Sequence, residues 1–284
     1  MKRRVLKGLL ACILCLVAAE ALARVVFDFP LYEADDELGY WPRANQEGAF
    51  LFRNDWAFNS TSLGVEKEFQ PSAKLDVLLV GDSIVYGGNE LQQAQKLGPM
   101  LQQETGWAVW PAGAGSWALQ NELTFLGRHP ELVAGSDVIA FVVNSGDFGS
   151  PSEWRSAFTH PREKPPIFLI YLFQRYVLPL DPPPASPMPV RRADLLAWWT
   201  DFATSTNKPL IVFAYSNQGE LAQRCTWVPR HLMARGSWYC YDGKKLPGTA
   251  GFRDDIHPSV RGNQVLAGQI AQAIRANMEE PPAK

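Results

Sequence analysis

A serine, a histidine and an aspartate in this sequence are of the types that activate a hydroxyl group for nucleophilic attack. Ser83 follows an apolar run of strand length and a Gly-Asp pair, so its hydroxyl can project from a tight turn. Asp254 stands three residues before His257, which lets both side chains reach one side of a turn, and Asp255 is a second candidate. A serine hydroxyl is a weak nucleophile until a base takes its proton, and that base needs a partner that fixes its tautomer. These residue types indicate acyl transfer through a serine nucleophile.

Acyl transfer also needs hydrogen-bond donors for the negative oxygen that develops on the substrate. Three donors of suitable type follow predicted strands: the backbone N–H groups of Ser83 and Gly115, and the side-chain amide of Asn144. Gly115 lies in a glycine-rich turn in which Gly113 is the alternative donor. Asn144 opens the sequence NSGD, whose third residue is a glycine. These groups are candidates for an oxyanion hole.

The elements that must position these groups form a repeating strand–helix pattern. Four apolar runs lack the polar alternation of half-exposed strands and predict strands buried on both faces, namely Leu75–Val80, Trp107–Trp110, Val138–Val143 and Leu210–Tyr215. Helix-like stretches occur at Glu90–Glu104, Trp117–Gly127, Arg191–Thr204 and Val260–Met278. The pattern predicts an α/β domain over residues 75–284, with a buried, mainly parallel sheet in a three-layer α/β/α arrangement. Ligands of such sheets bind beyond the carboxyl ends of the strands, where the polar groups stand.

Four separated blocks of the sequence resemble the SGNH (GDSL-like) hydrolase family. They are GDS at 81–83, PAGAGS at 111–116, NSGD at 144–147 and DxxHP at 254–258, and the resemblance covers about residues 75–278. The resemblance implies the flavodoxin-like SGNH-hydrolase fold and a serine hydrolase that needs no cofactor or metal. It also implies a triad of Ser83 as nucleophile, His257 as base and Asp254 as its orienting partner. Ser83, Gly115 and Asn144 would form the oxyanion hole.

The third block departs from the family pattern. The family usually has Gly-x-Asn-Asp there, whereas here Gly146 precedes Asp147 and the nearby asparagine is Asn144. The second block is a residue short, which keeps Gly113 open as the alternative to Gly115. Neither departure affects the expected triad.

Residues 1–27 are typical of an export segment. A Met-Lys-Arg-Arg start precedes Lys7 and the uncharged run Gly8–Ala19. The segment is either a signal peptide cleaved near Ala21-Leu22-Ala23, or a membrane anchor in which Glu20 and Arg24 pair one helical turn apart. The sequence DDELGYWP at 35–42 looks like the lead-in of membrane-tethered bacterial members of the family, which favours the anchor. We therefore expect an exported, periplasmic protein tethered to the inner membrane.

Two further segments break the strand–helix pattern. Residues 28–74 predict an irregular lead-in that packs on the domain. Residues 150–189 form a proline-rich insert, in which Ile167–Tyr176 is either a packed short helix, a cap beside the active site, or a surface that touches membrane or a partner. Cys225 and Cys240 lie in the exported part, where a disulfide is allowed, and the sequence leaves their pairing open.

The net charge of the chain bears on which classes of binding partner are expected. The 284 residues contain 27 Lys and Arg and 29 Asp and Glu, a net charge of −2, and residues 25–284 alone have a net charge of −6. Nucleic acid needs a basic face, so it is not an expected partner. The expected activity is hydrolysis of an ester, either a small one or an O-acyl or O-acetyl group of a carbohydrate or cell-envelope polymer. The alternatives are an O-acetyltransferase of exopolysaccharide with the same triad, and a non-catalytic carbohydrate-binding or assembly protein on the same fold.

Overall fold

The computed structural model describes residues 2–178, 185–242 and 248–279. The chain begins with helix α1 (Lys2–Val26), whose apolar side chains are almost all exposed. Arg3–Val26 is long and apolar enough to cross a membrane, and it is the one such helix among the described residues.

The lead-in, which the sequence predicts as irregular, contains two short antiparallel hairpins. The first pairs β1 (Tyr32–Asp35) with β2 (Gly39–Pro42), and the second pairs β3 (Gln46–Phe50) with β4 (Asn54–Phe58). Strands of four or five residues give too little periodicity to be recognised in a sequence rich in turns. The lead-in contributes Leu38, Tyr40 and Leu63 to the core beside the central sheet.

The central sheet has five parallel strands in the order β6-β5-β7-β8-β9. They are β5 (Asp76–Gly81), β6 (Ala108–Gly113), β7 (Val138–Val143), β8 (Leu210–Ala214) and β9 (Ser237–Cys240). The chain runs from β5 to β6 on one side and then returns to β7 on the other side. The strand order therefore reverses beside β5, and ligands of open α/β sheets bind at such a point.

Helices cover both faces of this sheet. The described helices after α1 are α2 (Ser83–Tyr86), α3 (Leu97–Thr105), α4 (Leu119–Arg128), α5 (Pro130–Gly135), α6 (Phe168–Tyr176), α7 (Leu195–Ser205) and α8 (Val260–Glu279). Alternate strand residues point to opposite faces, so Leu78 and Phe141 pack against α4 and α7, while Leu79 and Val142 pack against α3 and α8. The predicted three-layer α/β/α fold with a parallel sheet is confirmed.

The edge of the sheet and the insert differ in detail from the sequence pattern. Strand β9 is an additional edge strand, whose four half-exposed residues lack the apolar run that identified the other four. A disulfide joins Cys240 in this strand to Cys225 in the preceding loop. Within the insert, the apolar segment forms helix α6, and residues 179–184 of the insert lie outside the described residues.

Candidate active site

The structure brings the serine, histidine and aspartate together at the carboxyl edge of the sheet. The Ser83 hydroxyl lies 2.9 Å from Nε2 of His257, and Nδ1 of the same ring lies 2.8 Å from Oδ2 of Asp254. A carboxylate that accepts from Nδ1–H leaves the Nε2 lone pair facing the serine hydroxyl. This is the geometry in which the histidine can take the serine proton.

The turn that presents Ser83 depends on its two preceding residues. Gly81 ends strand β5, and a Cβ atom there would lie 2.5 Å from a methyl of Val85 and 2.9 Å from the Val142 carbonyl oxygen. Asp82 then caps α2, since its Oδ1 accepts the Ile84 N–H at 2.8 Å. Gly81 allows the chain to turn closely at the end of the strand, and the Asp82 cap starts the helix directly after it. Ser83 is therefore held at the start of a helix and directed out of the sheet.

Asp254 is fixed by the backbone of its own loop. Its Oδ1 accepts the N–H groups of Ile256 at 2.8 Å and His257 at 2.7 Å, which leaves Oδ2 for the histidine ring. Burial raises the pKa of Asp254, but these backbone hydrogen bonds and the imidazole outweigh it, so the pKa of this carboxyl lies below its usual 3.8. The partner of His257 is therefore an ionised carboxylate at neutral pH.

The three proposed oxyanion donors lie at the ends of adjacent strands. Gly113 lies within β6 in register with Gly81, where a Cβ atom would meet the Gly81 carbonyl oxygen at 2.5 Å. Gly115 follows the strand, and no atom lies within 4 Å of where its Cβ would be. Asn144 directly follows β7. Gly113 thus makes the close contact between strands, and Gly115 is the glycine in open space beyond them.

Three residues that the sequence reasoning gave no role hold these donors. Oδ2 of Asp82 accepts the Asn144 side-chain amide at 2.8 Å, and Oδ2 of Asp147 accepts the Asn144 backbone N–H at 2.5 Å. The hydroxyl of Tyr40, which is buried, donates to the carbonyl oxygen of Gly115 at 2.5 Å. Each lies inside a sequence segment already singled out, namely GDS, NSGD and DDELGYWP. Their presence in those segments is the sequence feature from which a role at the site could have been predicted.

Replacing Asn144 with alanine is expected to lower kcat for an acyl ester by about 10²- to 10³-fold, with a smaller change in KM. One amide hydrogen of Asn144 is donated to Asp82, and the second remains for an oxygen that becomes negative only in the transition state. Steady-state kinetics on the folded variant measure the split between kcat and KM. Asn277→Ala, which removes an amide bonded to Tyr239 on the far part of α8, is the matched control. An unchanged kcat for Asn144→Ala would exclude its amide from the oxyanion hole.

Buried carboxyl groups lie near the carboxyl edge of the sheet. Burial raises the pKa of Asp82, Glu122 and Asp147, and the neighbouring carboxyls raise the pKa of Glu122 and Asp147 further. Among the described residues neither oxygen of Glu122 has a hydrogen-bond partner. A carboxyl in that environment is held neutral, because an ionised one would have no compensating donor. The site therefore does not accumulate three negative charges beneath the serine.

Lys96 is a buried lysine beside the end of α2, and its burial predicts how the stability of the protein depends on pH. It is 4% exposed, and burial followed by the charge of Arg253 lowers its pKa from 10.5 to about 8. Below pH 8 both the folded and unfolded states carry the charge, so the full cost of burying an ammonium is present. Between pH 8 and 10.5 the unfolded state binds more protons, and the stability of the native protein rises with pH.

Lys96→Met is therefore expected to stabilise the protein at pH 7 by roughly 1 to 3 kcal/mol, and the gain should shrink as the pH approaches 10.5. Urea unfolding at several pH values measures it. The exposed Lys74→Met is the control and should change little. A loss of stability at pH 7 that does not depend on pH would contradict the prediction.

The histidine and aspartate of this site are open to solvent. The side chain of His257 is 27% exposed and that of Asp254 is 47% exposed. A cavity of about 680 Å³ lies between α6 and the loop around Trp154 and Arg162, and the triad residues do not line it. The chemistry is therefore accessible to a group carried on a large molecule. In the described part of the chain, no group of three or more His, Cys, Asp and Glu side chains is arranged to hold a metal ion.

Comparisons with known proteins find similar structures. No protein-family model and no curated protein sequence matches the chain. The chain is similar to a member of the lipolytic protein G-D-S-L family from Veillonella parvula, with 11% identity, a TM-score of 0.39, and coverage of 72% of this chain and 99% of the other.

Two esterases are also similar to the chain. One is a carbohydrate esterase, with 14% identity, a TM-score of 0.43, and coverage of 75% of this chain and 68% of the other. The other is a two-domain esterase active on acetylated mannans, with 11% identity, a TM-score of 0.41, and coverage of 74% of this chain and 51% of the other.

Proposed function

We propose that the protein is a serine ester hydrolase of the SGNH type, with Ser83 as nucleophile, His257 as base and Asp254 as its orienting partner. The observation that carries the proposal is the continuous hydrogen-bonded chain from the Ser83 hydroxyl through both nitrogens of His257 to Asp254. Residues 83 and 254–257 are far apart in sequence, and a structural role alone does not require this alignment. The same chain of contacts weighs against a non-catalytic binding or assembly protein.

The reaction follows from the positions of these groups. The Ser83 hydroxyl attacks the carbonyl carbon of the ester while Nε2 of His257 takes its proton. The N–H groups of Ser83 and Gly115 and the amide of Asn144 stabilise the oxyanion. His257 then gives the proton to the leaving alcohol, and an acyl-enzyme remains. Water attacks this ester by the reverse sequence, so the products are the alcohol and the carboxylic acid.

The proposed substrate is an O-acyl or O-acetyl group on a carbohydrate or cell-envelope polymer. The open position of His257 and Asp254 supports a substrate whose bulk remains outside the site. The proposed export fits the same class, since an exported enzyme encounters envelope glycans. A small acyl ester would enter the same open site.

We place the enzyme in the periplasm, with α1 as an anchor in the inner membrane. The contacts at the end of α1 support retention of this helix over cleavage near Ala23. Nη2 of Arg24 donates to the carbonyl oxygens of Pro165 at 2.9 Å and Pro166 at 2.7 Å, and Ala23 packs in a cluster with Phe168. Cleavage after Ala23 would remove part of this packing.

Incubation of the full chain with 4-nitrophenyl acetate, with and without an oligosaccharide acceptor, tests the activity. Acetate release that is unaffected by the acceptor supports a hydrolase. Transfer of acetyl to a sugar hydroxyl supports the O-acetyltransferase alternative, because only the nucleophile of the second step differs. If the protein neither hydrolyses nor transfers the acetyl group, and acts on no other acyl ester in a chain-length series, both the hydrolase and the acetyltransferase are contradicted.

A further inference from the structure

An exposed apolar turn lies directly beside the end of α1. It is the turn of the β3–β4 hairpin, where Leu51 is 46% exposed and Phe52 is 64% exposed. The Leu51 N–H donates to the carbonyl oxygen of Val26 at 2.6 Å, and the ring of Phe27 meets that of Phe50 edge-on at 5.9 Å. The turn is therefore fixed to the last residues of the helix.

A second exposed apolar surface is one side of α6. Four apolar residues spaced three or four positions apart lie on this side, and each is exposed by half or more: Ile167, Ile170, Phe173 and Val177. The opposite side is buried, where Phe168 and Tyr171 pack on Phe29. Within Phe168–Tyr176 the one charged residue is Arg175, and its guanidinium donates to the Phe158 carbonyl and the Tyr171 hydroxyl. The exposed side of this helix is thus mainly apolar, with Gln174 as its polar residue and no charged residue among these positions.

Helix α6 is also attached to α1. The Glu20 carboxylate accepts the N–H groups of Phe168 at 2.7 Å and Leu169 at 2.9 Å, and so it takes the place of a cap at the start of α6. Arg24 bonds to Glu20 and to the carbonyl oxygens that precede α6. The start of α6 therefore lies beside the last two turns of α1.

The length of α1 determines where both surfaces would lie relative to a bilayer that this helix crosses. Its apolar stretch, Arg3–Val26, has 24 residues and is about 36 Å long at 1.5 Å per residue. The hydrocarbon core of a bilayer is about 30 Å thick, which is about 20 helical residues. A span that starts at the basic residues Arg3–Lys7 therefore reaches the opposite interface near residues 23–27, about one turn beyond Glu20. The hairpin turn and α6 lie where headgroups and acyl chains meet. Apolar helix faces and aromatic side chains are stabilised at that depth.

We propose that Leu51, Phe52 and the exposed side of α6 form a membrane-resting surface that enters the interface of the bilayer crossed by α1. The proposal rests on membrane insertion of α1, which is part of the proposed function. The bilayer is the occupant because both surfaces adjoin the exposed apolar side chains of α1, such as Leu22 and Val25, and the three would be covered together. The catalytic domain is then held in one orientation instead of swinging on a single helix.

Photo-crosslinking of the full chain in nanodiscs of phosphatidylcholine and phosphatidylglycerol tests this surface. Benzoylphenylalanine replaces Phe52 or Phe173, and the adducts are identified by mass spectrometry. Leu14 in the middle of α1 is the positive control. Met278 is the negative control, since it is 46% exposed and lies near the end of α8 that is farther from His257.

We expect lipid adducts at Phe52 and Phe173 comparable to those at Leu14 and about tenfold above those at Met278. If Leu14 gives lipid adducts but Phe52 and Phe173 give no more than Met278 does, the membrane-resting surface is wrong. Membrane insertion of α1 would still hold. Adducts between two protein chains at Phe173 would also overturn it, in favour of a second copy. No lipid adduct at Leu14 would overturn insertion and this proposal together, while esterase activity of the same sample would be unaffected.

Discussion

Ser83→Ala is expected to lower kcat/KM for 4-nitrophenyl acetate by about 10⁴- to 10⁶-fold while the fold is retained. The variant loses the oxygen that forms the acyl-enzyme, and only binding and oxyanion stabilisation remain to act on a water molecule. The Ser83 Oγ contacts are to His257 and, at 3.4 Å, to Asp82, so its removal leaves the packing of α2 unchanged. Steady-state kinetics with circular dichroism as a check of folding measure the effect.

Ser205→Ala is the matched control for this substitution. Ser205 ends α7, and its hydroxyl bonds only to the Phe202 carbonyl oxygen in the same helix. Its activity should equal that of the unmodified protein. If Ser83→Ala keeps full turnover, the nucleophile is another group and the proposed mechanism is wrong.

His257→Ala is expected to reduce kcat/KM by a similar factor, about 10⁴-fold or more, and to abolish labelling of Ser83 by a fluorophosphonate. Without the imidazole, the remaining contact of the Ser83 hydroxyl among the described residues is a long one of 3.4 Å to an Asp82 oxygen that already accepts the Asn144 amide. The hydroxyl then stays neutral and is a poor nucleophile. Members of a triad act as a unit, so the double variant of Ser83 and His257 should be about as slow as either single variant. Gel fluorescence after labelling and kinetics on all three variants measure this.

His129→Ala is a close control, because the His129 side chain is also 27% exposed and also bonds a carboxylate, Glu131, at 2.9 Å. It should label and turn over normally. Labelling of Ser83 that persists in His257→Ala would mean that another base activates the serine. Absence of labelling in the unmodified protein would favour the non-catalytic alternative.

The sheet, and the positions of Ser83 and His257 beside it, could be predicted from the sequence because both have strong local signals. Buried parallel strands are uninterrupted apolar runs, and four of the five strands were identifiable from them. Ser83 and His257 each stand in a short block next to such an element, and a strand end fixes where the residue that follows it will lie. The position of each group relative to the sheet was therefore predictable without knowing any tertiary contact.

Features that depend on contacts between distant segments could not be predicted in this way. The bond from Tyr40 to Gly115 and the bond from Asp82 to Asn144 join segments 75 and 62 residues apart. Strand β9 is an edge strand without an apolar run; it pairs with β8, and a disulfide joins it to Cys225 in the loop before it. Sequence periodicity reports which face of an element is buried, but not which neighbour buries it.

The hydrogen bond from the Tyr40 hydroxyl to Gly115 has a consequence for the order in which the protein folds. The lead-in is synthesised before the central sheet, yet the partner of its tyrosine lies 75 residues later in the chain. Such a long-range closure is slow compared with helix formation, because the loop entropy is lost before the contact forms. A nascent chain can therefore complete this edge of the site only after the whole of strand β6 has emerged. The bond that holds Gly115 in place therefore forms later than the local turns of the lead-in that carries Tyr40.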